Sequence, residues 1–202
     1  MIGALVAFAL AAGLLTITPG LDTAIVLRAS AIGPRAGAAA ALGVCAGLFV
    51  WGAAAALGLG ALLAASPVAY TALKGAGAAY LVFIGARLIL QPRASFEPEA
   101  KPGESRGALR RGFLTNVLNP KVGVFYATFL PQFVPADAPV AAFCLALAGV
   151  HAALAAVWFA ALIALTQPLG QALRRPEIVR AMDRVTGGVF VAFGAKLALT
   201  RA

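Results

Sequence analysis

The sequence predicts an all-α integral membrane protein, with six transmembrane helices forming two inverted three-helix repeats and helices 1 and 4 broken near the midplane. Three observations carry this. Apolar residues make up 62% of the chain and charged residues only 11%, whereas soluble domains hold about 45–50% and 25%. The apolar residues fall into six runs, at 4–32, 37–64, 67–90, 108–134, 138–165 and 185–200. Short landmarks recur at about half the chain length.

No water-soluble fold of 202 residues hides that much apolar surface, because area falls too slowly with size. With a mean hydropathy of +0.93, the expected solvent is lipid. A spanning helix needs about 20 mostly apolar residues, so six spans and their connections use up the chain and leave no room for a separate soluble domain. Residues 1–17 are read as the start of the first span. A secretory signal opens on positive charge, and the first basic residue is Arg28.

The breaks between runs are well marked. Ser66-Pro67 is an N-cap followed by a first-turn proline. Pro135, Asp137 and Pro139 turn the chain between runs four and five. Residues 91–107 carry Pro92, Pro98, Pro102, Gly103 and Gly107 among mixed charges, which is a polar loop. Over 170–185, Leu173, Ile178, Met182 and Val185 oppose Arg174, Arg175, Arg180 and Arg184 at helical spacing. This predicts a short amphipathic helix on the membrane surface.

The net charge of +9 does not indicate nucleic acid, since no basic face of a folded domain carries it. It reads as orientation. Arg28, Arg35, Arg87, Arg93, Lys101, Arg106, Arg110, Arg111, Arg174, Arg175, Arg180 and Arg184 flank connections 1–2, 3–4 and 5–6, against Lys74, Lys196 and Arg201 on the other side. Under the positive-inside rule the 91–107 loop is cytoplasmic and both termini face outward. Cys45 and Cys144 each lie inside an apolar run and read as small apolar side chains. Neither a metal site nor a cofactor is expected.

The repeat is read from two landmarks. Gly85-Ala86-Arg87-Leu88 near the end of run three is echoed by Gly194-Ala195-Lys196-Leu197, 109 residues later. Thr18-Pro19-Gly20 in run one is echoed by Asn119-Pro120-Lys121, offset by 101. The expected units are 1–90, a first three-helix repeat; 91–107, the cytoplasmic loop; and 108–202, the second repeat. Three spans per copy invert the second, as in secondary transporters.

The polar residues inside the apolar runs are the candidate site. Thr18, Pro19, Gly20 and Asp22 interrupt the first run, and Asn116, Asn119, Pro120 and Lys121 interrupt the fourth. Proline breaks or kinks a helix, and Thr18 or Asn119 before it can cap a new one. Free N–H groups and the positive dipole end at such a restart receive a carboxylate. Lys121 adds a cation at one break and Asp22 an anion at the other, complementary to a zwitterion. Charges at this depth cost about 3 kcal/mol or more, which marks them as functional candidates. An ion pair between Asp22 and Lys121 that merely locks the bundle is the bland alternative. His151, near the middle of run five, has an ordinary pKa of about 6.5 suited to proton transfer. It and Asp22 are the proton-coupling candidates, although a histidine simply bonded to the backbone is equally compatible. Trp51, Tyr80 and Trp158 are read as packing or interface aromatics.

These residues also resemble a known family. Thr18-Pro19-Gly20-Leu21-Asp22 is similar to the Pro-Gly-Pro-Asp signature of the LysE/RhtB family of bacterial amino-acid exporters, with Leu21 in place of the second proline. The stretch from Arg111-Gly112 through Asn116 to Asn119-Pro120-Lys121 resembles that family's second signature. The resemblance covers essentially the whole chain. It implies export of amino acids or their derivatives across the bacterial cytoplasmic (inner) membrane, driven by proton exchange. The partners then expected are a small zwitterionic solute, the proton and membrane lipid, and no nucleic acid; homo-oligomerisation is left open. The competing classes are an intramembrane enzyme using Asp22 and His151, and a non-catalytic assembly or channel subunit. The first lacks a second carboxylate or metal-ligand spacing, and the second has no need of charges at both breaks. No Walker-type loop is present, so ATP hydrolysis within the chain is not expected.

Overall fold

A computed structural model describes residues 2–65, 67–92, 107–135, 138–165 and 175–199. All regular structure among them is helical. Helices α1 (Ile2–Ile17) and α2 (Leu21–Ile32) are followed by α3 (Pro34–Ala65) and α4 (Pro67–Leu90). The second half holds α5 (Ala108–Val117), α6 (Pro120–Val124), α7 (Val140–Ala164) and α8 (Pro176–Leu199). Helix α6 runs directly into a π-helical turn, Phe125–Phe129, and a 3-10 turn, Leu130–Phe133. Helices α3, α4, α6 and α8 all begin on proline, whose missing N–H is no loss at the first helical position.

By length and composition α3, over Pro34–Gly58, and α7, over Val140–Ala164, can each cross a membrane, at 25 residues apiece. The pair Leu5–Ile17 and Leu21–Ile32, bent by 54°, would make a third span. Gly75–Leu90 is a shorter apolar stretch. The outward faces are apolar as well: Leu57, Val68 and Val157 are more than 70% exposed. A surface of that kind is matched by lipid rather than by water.

Glycine sets the tightest packing. Helix α3 lies against α5 and α7, and α4 lies against α8. A Cβ at Gly43 would meet the Leu109 carbonyl and one at Gly112 the Ala40 carbonyl, so α3 and α5 touch backbone to backbone. The same holds between α4 and α8. A Cβ at Gly85 would come within 2.6 Å of the Gly187 carbonyl, and one at Gly194 within 2.8 Å of the Ala78 carbonyl. Small residues permit this approach in apolar bundles. Three of these glycines, Gly85, Gly112 and Gly194, stand in the landmarks noted in the sequence.

Two expectations are corrected. The last apolar stretch does not begin at 185, and no separate surface helix covers the described part of 170–185. Helix α8 runs unbroken from Pro176, burying Val179 and Asp183 while Arg180 and Arg184 stay exposed; Leu173 and Arg174 lie outside the described residues. The amphipathic pattern there records one helix with a packed face against α4. At the first break, Thr18 is not the cap. Its hydroxyl bonds back to the Leu14 carbonyl at 2.7 Å, Pro19 is linker, and Gly20 is the N-cap of α2. A threonine hydroxyl in the last turn finds a carbonyl four residues back more readily than an amide ahead of a proline.

Candidate functional site

Helices α1 and α2 part at 18–20, around Pro19, and helices α5 and α6 at 118–119, just before Pro120. The two restarts are built differently. Asn119 accepts from the Lys121 amide at 3.1 Å, with Pro120 behind it, a side-chain cap of the expected kind. Gly20 has no side chain to offer, so the first turn of α2 has no side-chain cap. Asp22 stands in that turn, where a negative charge suits the helix dipole.

Lys121 crosses from the second break to the first. Its Nζ donates to the Leu15 carbonyl at 2.9 Å and the Thr18 carbonyl at 3.1 Å, the last acceptors of α1. The ammonium thus lies at the negative end of a helix, the reverse of the expectation that it would reinforce a positive one. A Cβ on Gly20 would sit 3.2 Å from Nζ, so glycine here makes room for the lysine. Asp22 Oδ2 accepts from Asn116 Nδ2 at 2.9 Å. Asp22 Oδ1, Asn116 Oδ1 and Asn119 Nδ2 are buried without hydrogen-bond partners, so polar capacity is left over between the two breaks. Asn116 is fully buried, fitted against Gly47 of α3. Its carbonyl accepts from the Trp51 indole at 3.2 Å, so Trp51 stabilises the broken end of α5 as well as packing.

His151 is buried and engaged at both nitrogens. Thr16 Oγ1 donates to the Ala12 carbonyl at 2.7 Å, which leaves that oxygen to accept from His151 Nε2 at 3.1 Å. The proton therefore belongs on Nε2, and Nδ1 accepts from the Tyr126 hydroxyl at 3.1 Å. Both cysteines are free thiols.

Three cavities adjoin these groups. An open one of about 510 Å³ is lined by Thr18, Pro19, Gly20, Asn119, Pro120 and Lys121 from the two breaks, and by Tyr80 and Arg87 of α4. An inner one of about 20 Å³, room for a single water, brings Asp22, Lys121 and His151 together with Thr16 and Thr23. Lys121 lines both and stands between them. A third, of about 240 Å³ and almost wholly apolar, lies between α1, the π-helical turn and α8, and shares Thr18 and Phe190 with the first. Thr18 Oγ1 and Thr186 Oγ1 meet there at 2.9 Å.

The site candidates of the sequence therefore lie together around the two breaks: Thr18, Pro19, Gly20, Asn119, Pro120 and Lys121 on the large cavity, Asp22 and His151 with Lys121 on the inner one, and Asn116 bonded to Asp22. Arg87, Thr16, Thr23, Tyr126 and Thr186 were not singled out for the site. Arg87 carried a signal, as part of a repeated landmark. The hydroxyls did not, because a threonine in an apolar helix ordinarily bonds its own backbone.

A helical membrane protein with two broken helices facing one cavity is built to pass solutes, and the comparisons with known proteins agree. The family model described as LysE type translocator matches residues 14–201, and the chain belongs to that family. An uncharacterized membrane protein of Bacillus subtilis, YrhP, is 29% identical over 97% of this chain and 99% of its own length. The homoserine/homoserine lactone efflux protein of Salmonella typhi is 30% identical over 96% of both chains. An uncharacterized membrane protein of Vibrio cholerae is 31% identical over 97% of both. No solved structure matches.

Proposed function

We propose that this translocator exports small amino-acid-like zwitterions across the cytoplasmic membrane in exchange for protons, as six spans in two inverted halves. The observation that carries the proposal is the convergence of both breaks, one from each half of the chain, on a single cavity that a free amino acid fits comfortably. The substrate carboxylate faces Arg87 and the first turn of α2, which has no side-chain cap; the counter-charge for its ammonium is Asp22, on the inner cavity behind Lys121, with an Oδ1 that lacks a hydrogen bond. The coupling proton belongs to a group on the inner cavity, where Asp22, Lys121 and His151 meet. The efflux relatives support homoserine as the first solute to try.

The test is transport in sealed vesicles. Labelled homoserine and a panel of neutral amino acids are offered to purified protein with and without an imposed pH gradient. Accumulation that follows the gradient, and collapses when a protonophore dissipates it, is expected. Solute movement indifferent to the gradient would remove proton exchange from the proposal. No movement of any tested zwitterion would favour the assembly-subunit alternative.

A further inference from the structure

We infer that the two carbonyls at the end of α1 form a cation cradle, which Lys121 occupies as a tethered ammonium and which the ammonium of the transported solute takes over. The exchange of one for the other is then the coupling step. The cradle is a specific arrangement. Leu15 O and Thr18 O converge on a single Nζ at 2.9 and 3.1 Å, and Gly20 leaves the space the ammonium needs. These acceptors exist only because α1 stops here; in an unbroken helix they would be spent on amides further along. Unwound carbonyls and half-helix C-terminal ends are where transporters hold coupling cations. Asp22, with a buried oxygen lacking a hydrogen bond, supplies the counter-charge from α2.

Lys121 is anchored on the other broken segment, so its ammonium can leave the cradle only by withdrawing along its own stem. As the solute's ammonium enters from the large cavity, Nζ gives one proton to water on that side and retreats as a neutral amine. On the opposite side the solute leaves, Nζ takes up one proton, and the ammonium returns to the carbonyls. Each cycle moves one solute one way and one proton the other, and the cradle never holds two cations. The charged and titratable groups around Nζ are Asp22 of α2, His151 of α7, Tyr80 and Arg87 of α4 across the large cavity, and Cys45 of α3 on the Asp22 side. Helix α1 contributes only the carbonyls and hydroxyls.

This rests on the proposed zwitterion export, so the first arm of the test needs no solute. Lys121→Ala empties the cradle and should lower the thermal unfolding temperature in detergent. Propylammonium, a detached copy of the lost head group, should restore it with the logarithm of its concentration, as a ligand of the folded state does. Tetramethylammonium, with no N–H to donate, should not, and neither salt should move the wild type. Absence of rescue overturns the cradle. The second arm uses Lys121→Arg and Lys121→Gln in vesicles. Arginine fills the cradle but never sheds its proton, and glutamine offers amide N–H donors but no proton that titrates. Both should unfold near the wild-type temperature while pH-driven homoserine flux falls to that of empty vesicles. Normal pH-driven flux by either variant overturns the exchange step, and these two decide the matter if Lys121→Ala cannot be purified. A wild type that moves no homoserine at all, with rescue intact in the first arm, would sink the export proposal and leave the cradle standing.

Discussion

The fit between Gly47 and Asn116 allows a sharp test of how the site is held. In Gly47→Ala the new methyl would lie 2.5 Å from Asn116 Oδ1, 2.8 Å from its Cβ and 2.9 Å from its Cγ. Ordinary contacts are about 3.5–4.0 Å, so something must move by about 1 Å. The helices cannot simply part. Gly43 already rests on Leu109 and Gly112 on Ala40, which clamps α3 to α5 close by. Asn116 must swing instead, breaking its 2.9 Å bond to Asp22. Overpacking costs about 1–3 kcal/mol and a hydrogen bond to a charged group is worth about 1.5–3 kcal/mol, so roughly 2–4 kcal/mol of destabilisation is expected after partial relaxation. For a chain of this size that is a fall in unfolding temperature of roughly 4–16 °C. The assay is thermal unfolding in detergent against Gly58→Ala, where a Cβ meets nothing within 4 Å. Trimming the obstacle in Gly47→Ala with Asn116→Ala should cost less than the two single changes added together, since the clash disappears. If Gly47→Ala unfolds at the temperature of Gly58→Ala, the claim that α3 positions Asn116 is wrong.

Other outcomes follow from the same contacts. Asp22→Asn keeps the shape of the side chain and is expected to fold but export nothing in vesicles; wild-type flux at matched expression would reduce the carboxylate to a structural part. Trp51→Phe removes the donor to the Asn116 carbonyl, which still accepts from the Asn119 amide at 3.0 Å, so a loss of about 0.5–1.5 kcal/mol is expected in the same unfolding assay. A reporter placed within 91–107 should be cytoplasmic and one fused after Ala202 external; finding both on one side would defeat the inverted arrangement.

Much of this is legible in the sequence alone, for physical reasons. Proline in an apolar run has few structural outcomes, so both breaks could be placed from Pro19 and Pro120. The polar residues around them could be grouped because lipid leaves such groups nowhere else to go. What could not be read was direction. A lysine stem is long enough to reach across to the other broken helix, and nothing in Asn119-Pro120-Lys121 says that its ammonium seeks the carbonyls of Leu15 and Thr18 rather than the amides beside it. Thr18 misled for a related reason, because its hydroxyl had two possible partners and took the one behind it. Trp51 looked like packing because the acceptor for its indole, an orphan carbonyl of α5, exists only once that helix has stopped. The pattern at 170–185 was ambiguous because a charged face next to an apolar one suits a membrane surface and a packed helix end equally.

The glycine contacts divide the bundle in a way that bears on how it could move. Between α4 and α8 the glycines bring backbone against backbone, with the side chains of Val82, Ile89 and Val191 packed beside them, a close contact that leaves the pair little freedom to slide. The pair's attachments to the remainder include contacts of another kind: the Thr18–Thr186 hydroxyl pair and the rings of Phe129 and Phe193, with centroids 4.7 Å apart. Both larger cavities, the polar one and the apolar one, lie along that same join. Any displacement of the α4–α8 pair against α1 would be felt in both cavities at once, at Thr18 and Phe190, the two residues they share.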